Sequence, residues 1–165
     1  MEPLTPDDLQ TFLTENNIPA EIVHLDVHTP TVPAAAEAIG VVADQIVKTV
    51  VFLIDGQPHA VFANGVRRVD TRKLATRFGV NRKKVKLADG ETVLQITGYA
   101  PGTVPPVGHR QKIPMLMETD VQTLIENNSR LCLCNIRQHQ MEISRCFQCG
   151  SKGFTLQSDT FRYIK

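Results

Sequence analysis

Apolar positions recur along the chain at two periods, and the switches between them outline a fold. From Ile46 to Ile54, seven of nine residues are aliphatic or aromatic, the composition of a strand buried on both faces. Asp55-Gly56 follows as a two-residue hairpin signal, and "PHAVFANG" continues as the partner strand. "EIVHLDVH" alternates and predicts a half-buried strand, "KVKLA" and "IPMLM" predict two more, and "RLCLCNI" with "QMEISRC" predicts a final strand pair. The helical period appears in "TPDDLQTFLTENN", where Thr5 is the N-cap, Pro6 takes the first helical position, and Asp7 and Asp8 sit at the positive end of the dipole. It returns in "TVPAAAEAIG", capped by Thr31 and stopped by Gly40, and in "DTRKLATRFG", capped by Asp70. "DGETVLQITG" and "ETDVQTLIENN" are two further helices. Helices and strands interleave, yet hairpins occur too, so the pattern predicts a mixed α/β sheet with flanking helices rather than a regular doubly wound fold.

A chain of 165 residues with 42% hydrophobic content suits one domain spanning 1–165. The opening "MEPLTPDDLQ" is acidic and no run reaches the roughly eighteen apolar residues of a membrane span, so a cytoplasmic protein without a membrane partner is expected. In that compartment four cysteines read as reduced thiols or metal ligands. Cys132, Cys134, Cys146 and Cys149 fall within eighteen residues, and "CFQCG" resembles one knuckle of a zinc ribbon. Four thiolates would close a tetrahedral structural zinc site, leaving no position for a reacting water. Alternation of Cys132 and Cys134 with Leu131 and Leu133 suits ordinary core cysteines equally well.

The net charge of +1 conceals a local excess. Arg67, Arg68, Arg72, Lys73, Arg77, Arg82, Lys83, Lys84 and Lys86 are nine of eighteen basic residues, set against the single acid Asp70. A face of this density is a candidate surface for phosphate contacts, while an aromatic content of 5% limits base stacking. Two features ask for chemistry. Lys48 lies inside the apolar strand, where an ammonium costs several kcal/mol unless it is paired or reaches water. Its bland reading is an edge lysine snorkelling to solvent. "GYAPGTVPPVGHRQK", residues 98 to 112, has three glycines and three prolines and no periodic pattern. Loops this long in compact domains are functional or disordered, and the prolines argue against disorder. There is no Gly-x-Ser-x-Gly elbow and no Walker loop.

"TVPAAAEAIGV", "QIVKTVVF" with its central lysine, "DTRKLATRFGV" and "GTVPPVGH", in that order, resemble the YbaK and prolyl-tRNA synthetase editing-domain family, over about His28 to Leu124. The resemblance implies a mixed, partly barrel-like sheet around a cleft, and hydrolysis of amino acids wrongly esterified to tRNA without a required cofactor. It implies that Gly102 and Pro106 match the family's Gly-x-x-x-Pro loop, whose amides would face the ester carbonyl together with Gly108. It places Lys48 in the cleft beside the substrate. His109 is a candidate base or a shape-keeping hydrogen-bond partner for the loop. His28 could border the cleft with Thr31 or be a satisfied structural histidine, and Asn64 could contact the amino acid or only hold its turn. The basic residues Arg67 to Lys84 would position tRNA. The segment 130–165 departs from the family, lacking its usual glycines, which bears on the pocket's shape.

The expected function is a freestanding trans-editing deacylase for Ala, Cys, Ser or Thr on a mischarged tRNA, with tRNA(Pro) and a synthetase as expected partners. The alternatives are a noncatalytic RNA-binding module that keeps the fold, and a zinc-ribbon interaction domain.

Overall fold

Local sequence sets most of the elements. The computed structural model describes residues 2–18, 22–23, 31–126, 132–133, 142–143 and 161–164. In order these are α1 (Pro6–Glu15), β1 (Ile22–Val23), α2 (Val32–Ile39), β2 (Ile46–Ile54), β3 (Gln57–Asn64), α3 (Thr71–Phe78), β4 (Val85–Leu87), α4 (Gly90–Thr97), β5 (Met115–Glu118), α5 (Thr119–Glu126), β6 (Cys132–Leu133), β7 (Glu142–Ile143) and β8 (Phe161–Ile164). Helix α1 starts where the sequence asks it to. The Thr5 hydroxyl accepts from the Asp8 amide at 3.3 Å, and the Asp8 carboxylate accepts from the Thr5 amide at 2.7 Å, a reciprocal cap for two otherwise orphaned donors. Asp70 caps α3 by accepting from the Arg72 amide at 2.8 Å.

The β2–β3 hairpin is the spine. Asp55 and Gly56 both take positive φ, 51° and 82°, as a tight turn matched to strand twist demands, and Ile54 then faces Gln57. Strands run β4-β2-β3-β5-β8, with β3–β5 and β5–β8 parallel and β2–β3 antiparallel. The second edge of β2 is shared: β4 pairs antiparallel with Phe52–Ile54, and β6 pairs parallel with Ile46 and Val47. The expected pairing of "RLCLCNI" with "QMEISRC" differs, because β6 joins β2 while β7 pairs with β1 in a separate ladder. Strand β8 was not legible in the alternation of the tail.

Helices cover both faces of this mixed sheet. On one face Phe52 and Ile54 of β2, Val61 of β3 and Leu116 of β5 pack with Leu74 and Ala75 of α3. On the other, Val47, Phe62 and Met117 pack with Val121 of α5, while Val51 packs with Ala88 and Val93. Val47, Val61, Leu74 and Leu116 are almost wholly shielded, so the sheet itself is the core and its charged ends are where chemistry can be placed. Among the described residues no helix is long and apolar enough to cross a membrane.

Candidate functional site

Side-chain alternation decides what Lys48 meets. It shares the α3 face with Val50, Phe52 and Ile54, and lies opposite Ala63 in the β2–β3 ladder. Phe62 is beside Met117 on β5, so one step further along the parallel ladder Ala63 is beside Glu118. Lys48, Ala63 and Glu118 therefore form a row across three strands, with two long charged side chains on either side of a methyl.

The ammonium of Lys48 is half-buried and donates to the backbone carbonyls of Gly65 at 3.0 Å and Arg67 at 2.5 Å. These bonds tie the chain leaving β3 back onto β2. Burial pushes the Lys48 pKa down, Glu118 pulls it back up, and Arg68 lowers it further. Glu118 shows the complementary effect. Burial raises its pKa, Asp120 adds to that, and a bond from the Asn64 backbone together with Lys73 and Lys48 partly offsets both.

Beside this row opens a cleft of about 240 Å³, lined by Arg67, Arg68, Val69, Asp70, Lys73, Glu118, Thr119 and Asp120. One wall is the basic turn into α3, and the other is the acidic junction of β5 and α5. The Arg67 guanidinium donates to the Asp120 carboxylate and joins the two walls at their rim. Both partners are largely exposed, so that pair contributes at most about 1 kcal/mol. Glu118 and Asp120 escaped the sequence reading, which treated "ETDVQ" only as a helix start. The available signal was an acid set directly after the apolar strand "IPMLM".

The loop of residues 98–112 packs against the sheet and against α1. Its Val104 packs on Val51 with Ala88 and Val93, on the face of β2 opposite Lys48. Pro105 and Pro106 are buried, and Gly102 and Gly108 take φ of 87° and 78°, as L side chains rarely do. A Cβ on Gly108 would stand 3.0 Å from Leu9 and 3.4 Å from Phe12, so α1 packs directly on the loop's end. The Lys48 ammonium makes no hydrogen bond to this loop, its bonds going to the Gly65 and Arg67 carbonyls.

His109 holds the loop's shape. Its Nε2 lies 2.7 Å from the Pro105 carbonyl, which only accepts, so Nε2 carries the proton. Burial lowers the His109 pKa, and the Pro105 bond partly offsets this. A histidine that resists protonation when folded but not when unfolded contributes stability above its ordinary value of 6.5, and that contribution is lost as pH falls through the lowered native value. Stability of the wild type against urea is therefore expected to drop below pH 6.5 more steeply than that of His109→Gln. Equal slopes would show that His109 does not titrate in this way.

The other expected positions are placed as follows. Thr31 caps α2, accepting from the Ala34 amide at 3.3 Å. Asn64 is buried and fully used by its turn, donating to the Asp44 carbonyl at 2.9 Å and accepting from the Val66 amide at 3.0 Å. His28, Cys134, Cys146 and Cys149 lie outside the described residues, and Cys132 is described only as a position on β6. Among the described residues no group of three His, Cys, Asp or Glu side chains could hold a metal. Arg72, Lys73 and Arg77 line the exposed side of α3, with Arg82, Lys83 and Lys84 in the 3-10 turn after it. Lys84 is salt-bridged to Asp55 at 2.8 Å, and Arg82 donates to the Thr71 hydroxyl at 3.2 Å.

A family model described as an aminoacyl-tRNA editing domain matches residues 26–144. A proline–tRNA ligase of Maridesulfovibrio salexigens is 37% identical over 86 residues, covering 50% of this chain and 14% of the ligase. One from a Thermoanaerobacter species is 24% identical over 112 residues, covering 66% of this chain and 19% of the ligase. The chain thus spans less than a fifth of the length of either ligase. A crystal structure of a candidate trans-editing enzyme for prolyl tRNA synthetase superposes with a TM-score of 0.73 at 26% identity, over 86% of this chain and 87% of that one.

Proposed function

The chain belongs to the aminoacyl-tRNA editing domain family, and on that premise we propose that it is a deacylase acting in trans on a small amino acid mischarged on tRNA(Pro). The observation that carries this reading is Lys48, a half-buried ammonium in an otherwise apolar strand, under the electrostatic influence of Glu118 and Arg68, which line a charged cleft. Water adds to the acyl carbon, the bond from that carbon to the ribose oxygen breaks, and the products are the free amino acid and the ribose hydroxyl. Negative charge collects on the carbonyl oxygen during attack, and a fixed ammonium lowers the energy of that state more than of the neutral ester.

Alanine, cysteine, serine and threonine are the acyl groups in view. One methyl discriminates by only about 1 to 3 kcal/mol in a synthetase pocket, so errors among small side chains call for a second site. The likeness to proline–tRNA ligases and to the candidate trans-editing enzyme supports tRNA(Pro) as the carrier. The basic side of α3 would meet the phosphates and position the acceptor end without choosing the tRNA.

A second reading has its own observation. Lys48 already satisfies two carbonyls, so it could serve as a structural clasp in a noncatalytic tRNA-binding module. Release of amino acid from Ala-, Cys-, Ser- and Thr-charged tRNA(Pro) separates the two. Acceleration over spontaneous hydrolysis for at least one acyl group is expected. No acceleration with any of them, by folded protein that retards tRNA in a gel, establishes the binding module instead.

A further inference from the structure

The charges of the cleft sort into those already used and those still available. Asp120 is held by Arg67, and the Lys48 ammonium, outside the cleft lining, is held by two carbonyls. That leaves Glu118, a half-buried carboxylate of one wall that takes one bond from the Asn64 backbone but closes no salt bridge, and Arg68 and Lys73 as cations of the other that also close none among the described residues. Asp70, the remaining acid, is spent on capping α3. An available anion and two available cations facing each other across a cleft do not suit a simple anion or a simple cation. They suit a ligand that carries both signs a few ångströms apart.

We propose that this cleft binds the aminoacylated 3′-terminal nucleotide by its two charges, with Glu118 taking the α-ammonium of the amino acid and Arg68 and Lys73 taking the adjacent phosphate. The inference rests on the deacylase reading and adds the recognition of the free amine. Geometry supports it independently of titration. Glu118, Arg68 and Lys73 all line the same cleft, so one ligand can meet the three of them at once. The ester carbonyl is one carbon away from the amine, so a ligand whose ammonium meets Glu118 keeps that carbonyl within the same cleft.

A site of this kind distinguishes a free α-amine from a blocked one. Glu118→Gln keeps the shape and hydrogen-bonding capacity of the side chain and removes its charge. The probes are Ala-tRNA(Pro) and N-acetyl-Ala-tRNA(Pro), compared as kcat/KM with wild type, Glu118→Gln and Glu118→Asp. Wild type is expected to prefer the free amine by about tenfold, the scale of one charge-assisted hydrogen bond. Glu118→Gln is expected to lose that preference by acting more slowly on the free amine alone, and Glu118→Asp to recover part of it. A preference that survives Glu118→Gln, or a loss of rate equal for both substrates, overturns the proposal. Inactivity of the wild type on both substrates overturns the deacylase reading itself. A Glu118→Gln protein that does not fold passes the decision to Arg68→Gln with Lys73→Gln. For that pair a raised KM with unchanged kcat is expected on both substrates, and an unchanged KM overturns the phosphate half.

Discussion

Lys48→Met is expected to slow single-turnover deacylation of mischarged tRNA by about 100- to 1000-fold, the effect of removing one preorganised charge or donor at a developing oxyanion. Methionine keeps most of the unbranched stem, so packing against the α3 face is largely retained. The same change withdraws donors from the Gly65 and Arg67 carbonyls, and a lost charge-assisted pair leaves acceptors costing about 1 to 3 kcal/mol. Relief from burying an ammonium offsets part of that cost. The two jobs of Lys48 therefore predict different data. If Lys48 acts on the substrate, rate per folded molecule falls whatever the urea midpoint does. If it is only a clasp, the midpoint falls and rate per folded molecule holds. Lys48→Arg sharpens the comparison, since guanidinium retains charge and donors but not the compact geometry of an ammonium.

That ambiguity shows where sequence reasoning stopped. The strand, the hairpin turn at Asp55-Gly56 and the caps at Thr5, Thr31 and Asp70 depend on neighbours within four residues, and each was legible. The oddity of Lys48 was legible too, because an apolar run makes a lysine conspicuous. Its partners were not. Glu118 comes onto the face of Lys48 only through a parallel pairing of β3 with β5, and a one-residue slip in that register would turn Glu118 to the opposite face. The loop of residues 98–112 announced its importance through glycine and proline content, but composition carries no information about which face of β2 it covers. Val104 against Val51 is a tertiary fact. Asn64 shows the same limit from the other side. A polar residue ending a strand suits a ligand contact or a turn, and only the positions of Asp44 and Val66 decide for the turn.

The basic side of α3 offers the second large effect, and it is separable from the cleft. Arg72, Arg77 and Lys83 are exposed, lie outside the cleft lining, and close no salt bridge among the described residues, unlike Lys84 with Asp55. Each that meets a phosphate releases condensed counterions, so the logarithm of affinity falls with the logarithm of salt by roughly 0.7 to 0.9 per contact. Changing all three to glutamine is expected to weaken tRNA binding about 100-fold near physiological salt and to flatten the salt slope by about 2 to 3. Because these contacts position the ligand without touching the ester, KM should rise while kcat at saturating tRNA stays within about twofold. Filter binding across a salt series gives the slope, and deacylation across a tRNA series gives the split. An unchanged slope would place the phosphates elsewhere, and a fall in kcat would mean that the α3 surface also sets how the acyl group sits in the cleft.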